Sequence, residues 1–209
     1  LVWAEAPGSV TMEFPPLAAL VRVCKARGVL VALDNTWGAG LAFNAFDLGA
    51  GEGADISVQA LTKYPSGGGD VLMGSVVTRD EALHLQIKLS HMRLGLGVGA
   101  NDCEAVLRSL PSIALRYDAH DRAARHLAAW LQTRPEVAQV LHPALAGAPG
   151  HAHWQALCAR RRGELAATHA SRRLERHRIA AALDRARARE AGRAEAADRR
   201  DGRGDWRRE

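Results

Sequence analysis

Apolar residues fall along this chain in short runs separated by glycine, proline and polar clusters, and the spacing of each run predicts an element. Residues 1–4 read as the end of a strand that enters a turn at Pro7-Gly8-Ser9. Pro15-Pro16 opens a helix on which Leu17, Leu20, Val21 and Cys24 share one face, and Gly28 ends it. Residues 29–33, Val-Leu-Val-Ala-Leu, are continuously apolar, as in a parallel strand covered on both faces, and they deliver Asp34 at the strand's C-terminal end. Residues 56–61 and 71–78 predict two further strands around a glycine-rich loop at 62–70. Asp80 caps a helix through about Ser90, with Glu81 adding negative charge to its first turn. Asn101 or Asp102 starts the next helix, which Pro111 kinks, and 118–132 form another amphipathic helix before a short strand at 137–141. Strand, helix, strand and strand within the first part of the chain predict an α/β fold.

Composition narrows the class. Of 209 residues, 47% are hydrophobic, ordinary for a globular protein. The longest apolar stretches are far shorter than the roughly 20 residues of a membrane-spanning helix, and no charged-then-apolar leader opens the chain, so no membrane partner and a cytoplasmic setting are expected. The chain starts on Leu1 rather than methionine, and its natural start is expected to lie upstream. Cys24, Cys103 and Cys158 lie far apart without CxxC spacing, so neither a disulfide framework nor a zinc site is expected. The net charge of +5 is concentrated after residue 150, in blocks such as Arg160-Arg161-Arg162 and Arg185-Ala186-Arg187-Ala188-Arg189. A charge confined to one tail argues against specific nucleic-acid recognition, leaving weak phosphate contacts as the alternative. Residues 158–209 carry few large apolar side chains and read as an Arg/Ala-rich tail, out of frame or disordered or helical, beside a domain at 1–157.

Two residues carry the candidate chemistry. Asp34 ends a buried strand at the edge where open α/β sheets place ligands, although taken alone it also reads as a carboxylate capping the next turn. Lys63 follows a strand and precedes glycines. It reads either as a solvated surface lysine or, lying between apolar strands in a chain whose only lysines are Lys25, Lys63 and Lys88, as a partly buried amine with a purpose. A lysine that condenses with an aldehyde cofactor must lose its proton, which partial burial promotes, and a carboxylate opposite a pyridine nitrogen keeps that ring cationic. Asp34 and Lys63 suit these roles, and Thr62 is placed to donate to a cofactor phosphate. Gly67-Gly68-Gly69 lacks the Gly-Lys-Ser/Thr of a nucleotide loop, and Gly95, Gly97 and Gly99 lack the strand-to-helix setting of a dinucleotide site. His142, His151, His153 and Cys158 lack a complete ligand set at metal-site spacing, so no metal is expected.

Here the residues resemble the pyridoxal-phosphate (PLP)-dependent transsulfuration enzymes of Cys/Met metabolism, in particular the bacterial cystathionine beta-lyase branch. Asp34-Asn35-Thr36-Trp37 resembles the pyridine-nitrogen aspartate motif, and Val58-Gln59-Ala60-Leu61-Thr62-Lys63-Tyr64 the cofactor-lysine motif. Ala60 in place of serine and Glu5-Ala6-Pro7-Gly8-Ser9 followed by Thr11-Met12-Glu13 follow the beta-lyase manner. Gly69-Asp70-Val71-Leu72-Met73-Gly74, Arg116 with its neighbours, His142-Pro143-Ala144-Leu145 and Gly150-His151 continue the likeness to about Leu157. Between Asp47 and Ser57 the chain is longer than the family's compact Leu-Gly-Ala-Asp-Ile, as if by a surface insertion. The resemblance implies a partial aspartate-aminotransferase-like (fold type I) large domain, with Lys63 and Asp34 holding pyridoxal 5'-phosphate. It also implies alpha,beta-elimination of a small sulfur amino-acid substrate, L-cystathionine, in a homotetramer, with gamma-synthase or gamma-lyase chemistry as the alternative. Because the family's upstream cofactor contacts and C-terminal substrate arginine have no counterpart here, this chain alone is expected to be inactive.

Overall fold

The computed structural model describes residues 1–158; the expectations for the arginine-rich tail fall outside the described residues. Strand β1 (Val2–Glu5) leads to helix α1 (Leu17–Lys25), strand β2 (Val31–Asp34), strand β3 (Ile56–Ala60) and strand β4 (Gly74–Thr78). Helices α2 (Glu81–Arg93), α3 (Ala100–Ser109), α4 (Ile113–Leu131) and α5 (His151–Cys158) follow. The sheet order is β1-β2-β3-β4, with the first three strands parallel and β4 antiparallel to β3.

Burial follows the side-chain pattern. Val31, Ala32 and Leu33 are all buried, which is what a continuous apolar run requires when both faces of a strand are covered. Helix α1 buries Leu17, Val21 and Cys24 and carries Arg22 and Lys25 in its last turn, where positive charge offsets the helix dipole. Phe14 and Phe43 close the core edge-to-face, with ring centroids 6.0 Å apart. Trp154 of α5 joins the same buried cluster.

The segment ahead of β3, where a surface insertion was expected, leads into a strand paired in parallel with β2. Leu48 N–H donates to Glu52 O at 2.8 Å and Ala54 N–H to Ala45 O at 2.8 Å, closing the segment into a turn of its own. Leu48 and Ala54 are buried at its base. Asp55 then fixes the start of β3 to that of β2: its Oδ2 accepts from Val31 N–H at 2.8 Å, and its own N–H donates to Val31 O at 3.0 Å.

Elsewhere the structure revises the expected elements. Asp80 caps α2 as expected, its Oδ1 accepting from Leu83 N–H at 2.7 Å, and the helix runs on to Arg93. The strand expected at 71–78 begins only at Gly74. Gly99, not Asn101 or Asp102, is the N-cap of α3, its extended backbone serving where no side-chain cap is made, and Asp102 contributes charge within the first turn. Pro111 separates two helices instead of kinking one, because the 3-10 turn Leu110–Ser112 lies between α3 and α4, and α4 starts at Ile113. No strand forms at 137–141. Val137 N–H turns back onto Arg134 O at 3.1 Å, and these residues line a cavity of about 320 Å³ instead of pairing with the sheet. A strand needs a neighbour for its backbone, and none of the described strands pairs there.

Candidate cofactor site

The parallel pairing of β2 and β3 places both candidate motifs at one edge of the sheet. Asp34 lies abreast of Val58, and β3 continues two residues further to Ala60 before the chain turns into Lys63. The two exits are bonded to each other. Asn35 N–H donates to Val58 O at 2.8 Å, and Ala60 N–H donates to Thr36 Oγ1 at 2.8 Å. Thr36 therefore links the aspartate and lysine motifs through a side chain to which the sequence patterns assigned no task.

Asp34 ends β2 and caps the turn that follows it. Its half-buried Oδ1 accepts from Thr36 N–H at 2.9 Å, forming the local turn cap, while Oδ2 has no hydrogen bond among the described residues. Asn35 beside it is buried, with Nδ2 donating to Phe43 O at 3.2 Å. Gly38 lets the backbone pass close to that amide, since a Cβ there would lie 2.2 Å from Asn35 Oδ1.

Lys63 takes the solvated of its two expected settings. It is exposed rather than held between apolar strands, because β3 ends at Ala60 and Lys63 N–H turns back to Ala60 O at 3.2 Å. Thr62 also has other work. Its hydroxyl donates to Met73 O at 3.3 Å and accepts from Met73 N–H at 3.2 Å, tying the two ends of the glycine-rich loop together. A phosphate role for Thr62 would require breaking that tie.

The loop rests on α4. Arg116 donates to Tyr64 O, and Tyr117 donates to Trp37 O at 3.2 Å and packs on the Tyr64 ring with centroids 4.8 Å apart. Burial, reinforced by the neighbouring Tyr64, raises the Tyr117 phenol well above its ordinary value of 10.0, so its hydroxyl stays a donor. Burial followed by the Asp121 charge also raises Tyr64. Nearby, burial pushes the Cys158 thiol up to about 12, against the lowering pull of Arg125. Sequence patterns marked Arg116 as part of the likeness but gave no sign of what it holds, because its partner is a backbone carbonyl 52 positions away.

The histidine group does not assemble. Among the described residues no three His, Cys, Asp or Glu side chains come together as a metal-binding group. His142 Nδ1 accepts from Ala144 N–H at 3.1 Å, and His151 Nδ1 lies 2.9 Å from Pro143 O. None of the helices in the described part is long and apolar enough to cross a membrane.

With this edge defined, comparison with known proteins is direct. The family profile described as Cys/Met metabolism PLP-dependent enzyme matches residues 1–185. The chain belongs to that family. The match runs past Leu157 into the segment that the sequence patterns set apart from it. A cystathionine beta-lyase of Bordetella avium is 40% identical over 166 residues, covering 79% of this chain and 41% of that protein. Among solved structures, cystathionine gamma synthase from Xanthomonas oryzae pv. oryzae, in complex with aminoacrylate and cysteine, aligns with a TM-score of 0.69 at 33% identity. That alignment covers 73% of this chain and 38% of the other. Apo CalE6, a methionine gamma lyase from Micromonospora echinospora, aligns with the same TM-score and identity over 75% of this chain and 42% of its own. The α/β, fold type I assignment thus holds for this part of a large domain, in a family that uses pyridoxal phosphate. The chain spans about two fifths of the length of the curated relatives it matches.

The described residues fit two ends of that cofactor. Asp34 offers a carboxylate oxygen with no hydrogen-bond partner among the described residues, as a ring nitrogen requires, and Lys63 offers an exposed amine for the aldehyde. The phosphate end finds Thr62 already engaged.

Proposed function

We propose that this chain forms the cofactor-lysine edge of a PLP-dependent carbon–sulfur lyase whose reaction is alpha,beta-elimination of L-cystathionine to homocysteine, pyruvate and ammonia. The observation that carries the reading is the Thr36 Oγ1 bond to Ala60 N–H, which joins the Asp34 and Lys63 motifs at one sheet edge. When bound, pyridoxal 5'-phosphate supplies an electron sink for charge developing at the substrate Cα. Lys63, as a free amine, takes the Cα proton and returns a proton to the departing sulfur. Asp34 keeps a proton on the ring nitrogen by holding a carboxylate opposite it. Ala60, the Ala6-Pro7-Gly8-Ser9 segment and the beta-lyase names of the curated relatives support beta over gamma chemistry. The gamma-synthase and gamma-lyase structures support the second reading, since at 33% identity they align with about three quarters of this chain.

The same reading places the enzyme in the cytoplasm as a homotetramer, with Cys24 and Cys158 as unpaired thiols in keeping with a reducing setting. The 209-residue chain by itself is proposed to be inactive, because Lys63 is exposed and, among the described residues, α2 buries no side chain and β4 is largely exposed.

The test grafts residues 1–158 in place of the matching segment of the Bordetella avium relative. Incubation with L-cystathionine is expected to release pyruvate, whereas 2-oxobutyrate would favour the gamma-lyase reading. Borohydride reduction followed by mass spectrometry is expected to locate the cofactor on Lys63, and Lys63→Ala to abolish both signals. Asp34→Asn is expected to reduce turnover by about 3 kcal/mol in the barrier, the scale of losing one preorganised electrostatic group, while cofactor content changes little. Cofactor attached to Lys25 or Lys88, or pyruvate release from the 209-residue chain alone, would contradict this account.

A further inference from the structure

Two consecutive residues of α4 reach the two cofactor-edge motifs from outside the sheet. Arg116 Nη1 donates to Tyr64 O at 2.6 Å, one residue beyond Lys63. Its other nitrogens are tied down on the helix side: Nη2 donates to Ser109 O at 3.1 Å and to Ser109 Oγ at 3.0 Å, and Nε donates to Ser112 Oγ at 3.0 Å. Ser112 Oγ in turn donates to Ser109 O at 3.0 Å. The guanidinium is thus locked against the α3–α4 junction before it meets the loop. Tyr117 reaches the other motif, donating to Trp37 O, while its ring packs on Tyr64.

The loop is shaped to receive Arg116. Gly67 has a φ of +74°, and a Cβ there would lie 2.6 Å from Arg116 Nη1 and 2.7 Å from Cζ, so only a glycine lets the backbone lie against the guanidinium. Apart from the Thr62–Met73 tie, the other bonds of this turn are local: Ser66 N–H to Leu61 O, Gly67 N–H to Lys63 O, Lys63 N–H to Ala60 O and Ser66 Oγ to Thr62 O. Such bonds shape the turn but do not orient it relative to Asp34.

We propose that Arg116 and Tyr117 are a pair of positioning residues, Arg116 fixing the turn that carries Lys63 and Tyr117 fixing the turn that follows Asp34, so that one helix sets the geometry between amine and carboxylate. The proposal rests on the assignment of Lys63 and Asp34 made above. Its physical basis is the planar fork of arginine, which can hold Ser109, Ser112 and Tyr64 at once; a lysine at 116 keeps the charge and loses the fork. Tyr117→Phe is the matching minimal change, since it keeps the ring on Tyr64 and removes only the hydroxyl bond.

Hydrogen exchange on the 209-residue chain tests this without any cofactor. Arg116→Ala is expected to speed exchange at the Ser66 and Gly67 amides by about tenfold or more, the effect of losing a charge-assisted bond on local opening, with the β2 amides unchanged. Tyr117→Phe is expected to speed exchange at Ala39 and Ala42, whose N–H groups bond to Asn35 O and Gly38 O, by about threefold to tenfold. Unprotected Ser66 and Gly67 amides in the unsubstituted chain, no change in Arg116→Ala, or equal acceleration throughout β2 would each overturn the proposal.

A second readout separates positioning from a purely structural role. In the Bordetella avium graft, Arg116→Lys is expected to lower kcat about tenfold with KM within about twofold, because it disturbs Lys63 rather than substrate binding. Unchanged kcat in that variant would overturn the proposal even if exchange rises. A graft that neither releases pyruvate nor carries cofactor on Lys63 counts against the functional reading, and exchange alone then decides the role of Arg116 and Tyr117.

Discussion

Strand β2 and helix α2 are built on opposite terms. Leu33 at the centre of β2 is 0% exposed, whereas none of the thirteen residues of α2 is buried, Leu85 and Met92 being 55% and 65% exposed. The apolar residues of α2 explain the difference. Leu83, Leu85, Ile87 and Leu89 alternate with polar positions, a period that suits a strand and scatters side chains around a helix instead of gathering them on one face. The Asp80 cap holds the helix start locally, but nothing in the pattern gives it a packing face. Beside it, β4 exposes both Val76 and Val77 at about half their surface. The candidate site is thus attached to the well-packed part of the molecule, while the β4–α2 side is joined to it through the β3–β4 ladder and buries little of its own surface.

Mutations should make that contrast measurable. Leu33→Ala is expected to destabilise the fold by about 2–5 kcal/mol, since it removes fully buried atoms and leaves a cavity, while Leu85→Ala stays within about 0.5 kcal/mol. Denaturant unfolding of both variants checks this, and comparable losses would dissolve the comparison. Gly38→Ala comes next, at about 1–3 kcal/mol, because its Cβ must displace Asn35 Oδ1 or the Phe43 ring in the packed region.

Asp80→Ala should act almost entirely within α2. The loss of its side-chain bond to Leu83 N–H is expected to weaken the helix start by about 1 kcal/mol, read as faster exchange of α2 amides with the β2 amides unaffected. Slowed or unchanged α2 exchange would show that the helix is secured by something other than its cap.

The smallest expected effect involves a half-buried group between these extremes. Burial and then the Arg125 charge hold the His142 imidazole below its ordinary value of 6.5. The folded state therefore favours neutral histidine. This contribution is fully present above pH 6.5 and is lost as pH falls through the lowered folded value. His142→Gln is expected to flatten that part of the stability profile below pH 6.5, measured by denaturation at a series of pH values. An unchanged acid limb would remove His142 as its source.

Local chemistry was legible in the chain itself. The unbroken apolar run before Asp34 specified a doubly covered strand, the leucine and valine spacing specified the buried face of α1, and Asp80 specified the start of α2. Each of these depends on neighbours within a few positions, which is why the order of residues alone determined them. What lies across from a residue was decided only when the chain folded. Lys63 leaves the sheet too soon to be buried, Thr62 is taken up by Met73, and residues 137–141 find no strand to pair with. Arg116 meets Tyr64 O across 52 positions, and Tyr117 meets Trp37 O across 80. Backbone carbonyls are the same in every residue, so no side-chain pattern marks which of them a distant arginine or tyrosine will hold; only the tertiary arrangement of α4 over the sheet edge selects them.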